Sequence, residues 1–370
     1  MEGKRICAGI GALVGMLILI LDSATAVAGA KSGLDLCLRT VIPSLFPFFL
    51  LSQVLLGAFS GATMPLLRPL AKRCGIPEGM ESIFLPAFLG GYPVGAQCIA
   101  QAYQDGNLSR QVARHMLGFC NNAGPSFLFG MVGAMFSRRS APWLLWGIHI
   151  ASALLWGYLT APKEPDRSVS SVAQAVSLPQ SLHGAIHVMG TVCSWVMVFR
   201  ILIAFRQKWF FRAFSGNMQV VFMGLLELSN GCCALPGIPE EETRFLICSG
   251  ILALGGGCVL LQTMSVVGDL GIQSYLVGKL MQTIFSITFC LGLLYGSWLC
   301  IPLFLAVVIL LKKAVAFRKY LRYNKTISTR RNHYAVSEKD GEVLCLLPLW
   351  CPAGRRSDSL HQEGFADPGR

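Results

Sequence analysis

Between residues 6 and 311 the chain is a succession of apolar stretches, most of them about as long as a bilayer core is thick. A backbone in hydrocarbon has no water to bond to, so such stretches must satisfy their own N–H and C=O groups, which they do as helices. They run 6–29, 41–59, 81–103, 112–136, 141–161, 184–205, 218–235, 245–267 and 272–297, with a shorter one at 299–311. The expected fold class is an all-α polytopic membrane protein of about ten segments. Only 14% of residues are charged and the mean hydropathy is +0.57, whereas soluble domains average roughly 25% charged residues. Water-soluble enzyme classes are set aside on that ground.

The stretch 6–29 follows Lys4 and Arg5 and contains "SATAVAGA", which looks like a signal-peptide cleavage site. It is as long as a full span and more spans follow, so a retained helix is expected. Basic residues then fix an orientation. Arg68, Lys72 and Arg73 follow the second stretch, Arg138 and Arg139 the fourth, and Arg206, Lys208 and Arg212 the sixth. Eight Lys or Arg and no acid lie between Lys312 and Arg331. A cytoplasmic N-terminus puts every one of these clusters inside and the acidic loop "IPEEET" (238–243) outside. Both termini are therefore expected in the cytoplasm. Residues 1–315 read as a transmembrane, transporter-like domain and 316–370 as a basic, mostly disordered cytoplasmic tail. The tail's apolar patch, 343–351, is too short to span. A basic run next to a span reads as a flank facing anionic lipid of the bilayer, and no nucleic-acid partner is expected.

The fourteen cysteines include no CxxC pair and no zinc spacing, so neither a disulfide framework nor a metal site is implied, and no cofactor is expected. His115, His149, His183 and His187 fall at or near segment ends, which reads as a wet interface.

Several stretches are interrupted. Pro43 and Pro47 lie four apart in the second. "LGGYPVGAQ" (89–97) brings Gly91, Tyr92, Pro93, Gly95 and Gln97 into the third. "CNNAGPS" (120–126) brings Asn121, Asn122, Gly124 and Ser126 into the fourth. In the seventh, "ELSNGC" carries Glu227, Ser229 and Asn230; in the eighth, "LGGGCVLLQT" carries Gly256 and Gln262. Proline removes a donor and glycine lets the chain leave helical angles. The freed backbone groups must then meet protein, water or solute. A packing kink is the competing reading of any one break. Four breaks in two matched pairs, one pair in a half at about 33–161 and one in a half at about 180–297, read as an internal duplication, which is a signature of secondary transporters. Half-helix N-termini and amides suit a small organic anion. These residues are the candidate substrate site.

Glu227 is an acid within an apolar segment and is the candidate ion-coupling residue, carrying a proton or holding Na⁺. A structural pairing with Arg200 is the alternative. Arg200 and Lys279 read either as carboxylate ligands or as snorkelling side chains. Ser126 has no His/Asp pair, so no enzyme is expected.

The motifs "VIPSLFPFFLLSQVL", "GGYPVGAQ", "CNNAGPSFLFGMVGA", "ELSNGC" and "LGGGCVLLQTMSVV" resemble, in order, the sporulation integral membrane protein YlbJ family of the nucleoside-recognition (Gate) group. The resemblance covers roughly residues 5–312. It implies endospore formation and movement of dipicolinic acid across the outer forespore membrane, with the Gate motifs at Asn121, Asn122, Gly124, Pro125 and Ser126 and at Glu227, Ser229 and Asn230. Tyr92 or Phe127 would cover the pyridine ring. A nucleoside transporter, or a non-transporting scaffold for the spore envelope, is the rival reading.

Overall fold

The computed structural model describes residues 2–59, 63–162, 177–210 and 216–296. The expected tenth stretch at 299–311, the basic run, the patch at 343–351 and the tail 316–370 lie outside the described residues. Every regular element among the described residues is helical. Five helices are long and apolar enough to cross a membrane: Ser23–Leu55, Ala141–Thr160, Leu178–Trp209, Glu241–Leu270 and Gln273–Tyr295. Large apolar side chains such as Leu13, Ile20, Leu51, Leu202 and Leu280 point outward, as lipid-facing residues do. The protein is an all-α integral membrane protein.

Helix α1 (Glu2–Leu21) stops at Asp22, and α2 (Ser23–Leu36) starts there. The Asp22 carboxylate accepts from the Thr25 amide at 3.4 Å and pairs with Lys208 at 2.7 Å. The expected helix over 6–29 is therefore cut by an N-cap, which the "DSAT" run encodes. The expected connection near 30–40 is helical instead, and Asp35 and Arg39 pair across one turn of it.

From α2 the chain passes through a π-turn (Cys37–Val41) into α3 (Ile42–Phe59). Pro43 has no N–H to close an ordinary turn. The widened turn absorbs this, with the Ile42 amide bonded to the Cys37 carbonyl. The Ser44 hydroxyl donates to the Thr40 carbonyl at 2.6 Å. Helix α10 (Leu178–Phe210) lies along both α2 and α3. Gly29 and Gly33, one turn apart, make this possible: methyl groups there would sit 2.8 Å from Ile201 Cα and 3.0 Å from Met197 Cα.

After α4 (Arg68–Arg73) come α5 (Phe84–Leu89), α6 (Val94–Gln104), α7 (Arg110–Leu117), α8 (Pro125–Gly130) and α9 (Ala141–Thr160). After α10 come α11 (Asn217–Leu226), α12 (Leu228–Ala234), α13 (Glu241–Leu254), α14 (Gly256–Val267) and α15 (Gln273–Tyr295). Helix α9 packs on α15; α7 packs on α15 as α13 packs on α9; α8 packs on α3 as α14 packs on α10; and α6 packs on α14.

Candidate functional site

All four breaks expected from the Gly-rich and polar motifs are present among the described residues. Between α5 and α6 the chain turns through Gly90, Gly91, Tyr92 and Pro93, with Gly91 at φ +82°, a left-handed conformation that side chains resist. Between α7 and α8 it is non-helical from Gly118 to Gly124. Glu227 alone separates α11 from α12, and Gly255, at φ +79°, separates α13 from α14.

Within each pair the breaks touch backbone to backbone. A methyl on Gly124 would lie 2.9 Å from the Gly91 nitrogen, and one on Gly256 would lie 2.5 Å from the Gly224 carbonyl oxygen at the end of α11. Tyr92 links the pairs: its hydroxyl donates to the Leu252 carbonyl at 3.1 Å, and its ring faces Gly255.

A cavity opens between the breaks and the π-turn, with about 50 Å³ for the centres of water molecules. Of the candidate residues, Gly91, Tyr92, Gly124, Glu227, Ser229 and Gln262 line it. Thr40 of the π-turn, Ser44 of α3, Phe127 of α8, and Val192 and Val196 of α10 also line it.

Asn121 and Asn122 stand behind that wall. Asn121 donates to Thr263 on α14 at 3.0 Å and accepts from the Ala96 amide at 3.4 Å, so it joins a break in the first pair to a helix in the second. Asn122 donates to the Phe119 carbonyl at 2.7 Å; its oxygen accepts from Lys279 at 3.3 Å and Gln282 at 2.9 Å. Lys279 also donates to the Tyr92 hydroxyl at 3.0 Å and to Gln282 at 2.6 Å, and Gln282 donates to the His149 carbonyl at 3.0 Å. His149 Nε2 accepts from the Ala123 amide at 3.1 Å. All of these side chains are buried. A lysine in mid-bilayer costs about 3 kcal/mol on insertion scales, and this set of acceptors offsets that cost.

Glu227 is 2% exposed. Its carboxylate accepts from the Ser229 amide at 2.9 Å and the Asn230 amide at 2.7 Å, and from the Asn230 side chain at 2.8 Å. It is the N-cap of α12, a favourable place for a negative charge. The alternative reading, a pairing with Arg200, is not made as an ion pair: no contact within 4.0 Å joins them, and Arg200 Nε is buried without a hydrogen-bond partner. The start of α12, expected to face a solute, is filled by the protein's own carboxylate. Asn230 serves that cap and does not line the cavity.

Gly95 and Gly256 hold backbones together. A methyl on Gly95 would overlap the Cys120 carbonyl oxygen. Pro93 caps α6 behind the wall, and Gln97 Oε1 and Ser126 Oγ are buried without partners.

His149 departs from expectation: it is 1% exposed, in the middle of α9, not at a wet interface. A solvated end would keep its ring in water; here two buried neighbours, Ala123 and Gln282, use its ring and carbonyl. Lys279 and Gln282 were readable as a polar stripe on an apolar span, Tyr275, Lys279, Gln282 and Ser286, at spacings of three and four.

Compared with known proteins, the chain is similar to the sporulation integral membrane protein YlbJ of Bacillus subtilis (strain 168), 33% identical over 135 residues. The match covers 35% of this chain and spans only 31% of that relative's length. No family model and no solved structure matches the chain.

Proposed function

We propose that the protein is a secondary-transporter-like membrane protein of endospore formation, and that it moves a small organic anion, dipicolinic acid in the first instance, across the outer forespore membrane. The observation that carries this is the cavity walled by the interrupted segments of both pairs. Regular backbone in a bilayer needs no such opening, and interrupted helices meeting at one hollow are how secondary transporters build midplane sites. The likeness to YlbJ supports the sporulation setting, and the interrupted segments suit the nucleoside-recognition (Gate) group. The matched pairings, α7 on α15 with α13 on α9 and α8 on α3 with α14 on α10, support reading the chain as two related halves.

In this reading the walls of the cavity part to admit the solute. Glu227 borders that space and is the group assigned to a coupling proton or Na⁺. In this reading the protein performs no covalent chemistry, both termini face the cytoplasm, and the basic tail lies against anionic lipid.

The test is uptake of labelled dipicolinate by proteoliposomes. Wild-type protein should accumulate it, and Asn121→Ala and Glu227→Gln should abolish uptake with the protein still in the membrane. Full uptake by both variants would overturn the site. Removing residues 325–370 should leave uptake intact; a spore-envelope scaffold would instead fail in sporulating cells on losing them.

A further inference from the structure

Lys279 is buried with no anionic partner among the described residues. It is 1% exposed, and among the described residues no carboxylate comes within 4.0 Å of it. Its donors go to neutral oxygens on Tyr92, Asn122 and Gln282. Neutral acceptors satisfy the N–H groups, but a proton held on Lys279 would stand uncompensated in a medium of low dielectric, so an arriving anion and that proton favour each other there.

One side chain stands between this charge and the cavity. Tyr92 lines the cavity, and the Lys279 ammonium lies 4.9 Å from the centre of its ring. Two hydrogen bonds hold the ring in place: the hydroxyl accepts from Lys279 and donates to the Leu252 carbonyl. Elsewhere on the wall an anion meets Glu227, a carboxylate already seated at a helix start. Lys279, directly behind Tyr92, is thus a basic group within reach of the hollow that has no carboxylate partner.

We propose that Lys279 is the anion-recognising cation of this cavity, and that Tyr92 is the shutter that turns aside to let a solute carboxylate reach it. The assignment rests on the solute-binding reading above. It gives the shutter a second consequence. When Tyr92 turns, its bond to Leu252 breaks, and that bond ties the first pair of breaks to α13. Anion capture and loosening between the pairs are then one event.

The test uses purified full-length protein, with dipicolinate and its uncharged diamide as probes. Dipicolinate should raise the melting temperature of the wild type and the diamide should not. Lys279→Met should fold, because Tyr92 keeps Leu252 and Asn122 keeps Gln282, yet lose both the dipicolinate response and uptake. Circular dichroism and a single elution peak check its folding. Acetic anhydride labelling of Lys279, read by mass spectrometry, should be several-fold greater in Tyr92→Ala than in wild type, with Tyr92→Phe between them. If the wild type binds and imports dipicolinate and Lys279→Met does so equally well, the cation assignment is overturned while the transport reading stands. A wild type indifferent to dipicolinate in both assays overturns the transport reading and the cation with it. Equal labelling in all three proteins overturns the shutter on its own.

Discussion

Glu227 takes its hydrogen bonds from residues two and three positions ahead of it, whereas Lys279 donates to Asn122 and Tyr92, 157 and 187 positions away. Both are buried charges beside one cavity. The acid belongs to its own turn of chain, so it and the start of α12 move as a unit, whatever the rest of the molecule does. The base belongs to a meeting of α15 with two breaks, so its bonds exist only while those elements stay together. A locally satisfied charge fixes a piece of structure; a distantly satisfied one registers an arrangement of pieces.

The strongest way to break this contrast is at Gly278, beside Lys279. A methyl there would overlap the Gly118 carbonyl oxygen, and backbone cannot yield as a side chain does. Gly278→Ala should remove most folded protein from the membrane, read as the monodisperse fraction after extraction. Next is Asn122→Ala, which strips an acceptor from both Lys279 and Gln282. It should destabilise the protein by about 2–3 kcal/mol, the range for buried groups left unpaired. Adding Lys279→Met should recover part of the loss, and a double-mutant cycle in thermal melts measures the coupling.

A smaller effect is expected at the local charge. Glu227→Gln puts an amide donor against backbone donors and should cost about 1–2 kcal/mol, the scale of a lost helix cap. Unlike Asn122→Ala, it should gain nothing from Lys279→Met. Smallest is Ser44→Ala, which removes one bond to a neighbouring turn; about 1 kcal/mol or less is expected in the same melts. If Glu227→Gln couples to Lys279→Met as strongly as Asn122→Ala does, the distinction between the two charges fails.

What the sequence disclosed follows the same division. Glycine and proline act on the chain where they stand, so the interruptions at 90–93, 118–124, 227 and 255 were legible from the motifs that contain them. So was the cavity's dependence on Tyr92, Gly124, Glu227 and Gln262. The start of α2 was equally local, but Asp22 sits in an apolar run that reads as one span, and hydropathy outweighed the cap. Partners across the fold were not legible. Nothing near Lys279 in the chain names Tyr92, and nothing near Asn121 names Thr263. Those pairings come from how α6, α14 and α15 pack, and a single sequence holds no record of that. The side chains of the π-turn and α10 on the cavity wall were missed because they are ordinary for a span.

Where Gly278 meets Gly118, no side chain lies between the two main chains. Such a joint has nothing to reshuffle, so α15 and the turn before α8 can pivot there but not slide. Val192, Val196 and Leu45 on the cavity wall are instead branched aliphatic groups, whose packing is set by side chains rather than by main chain.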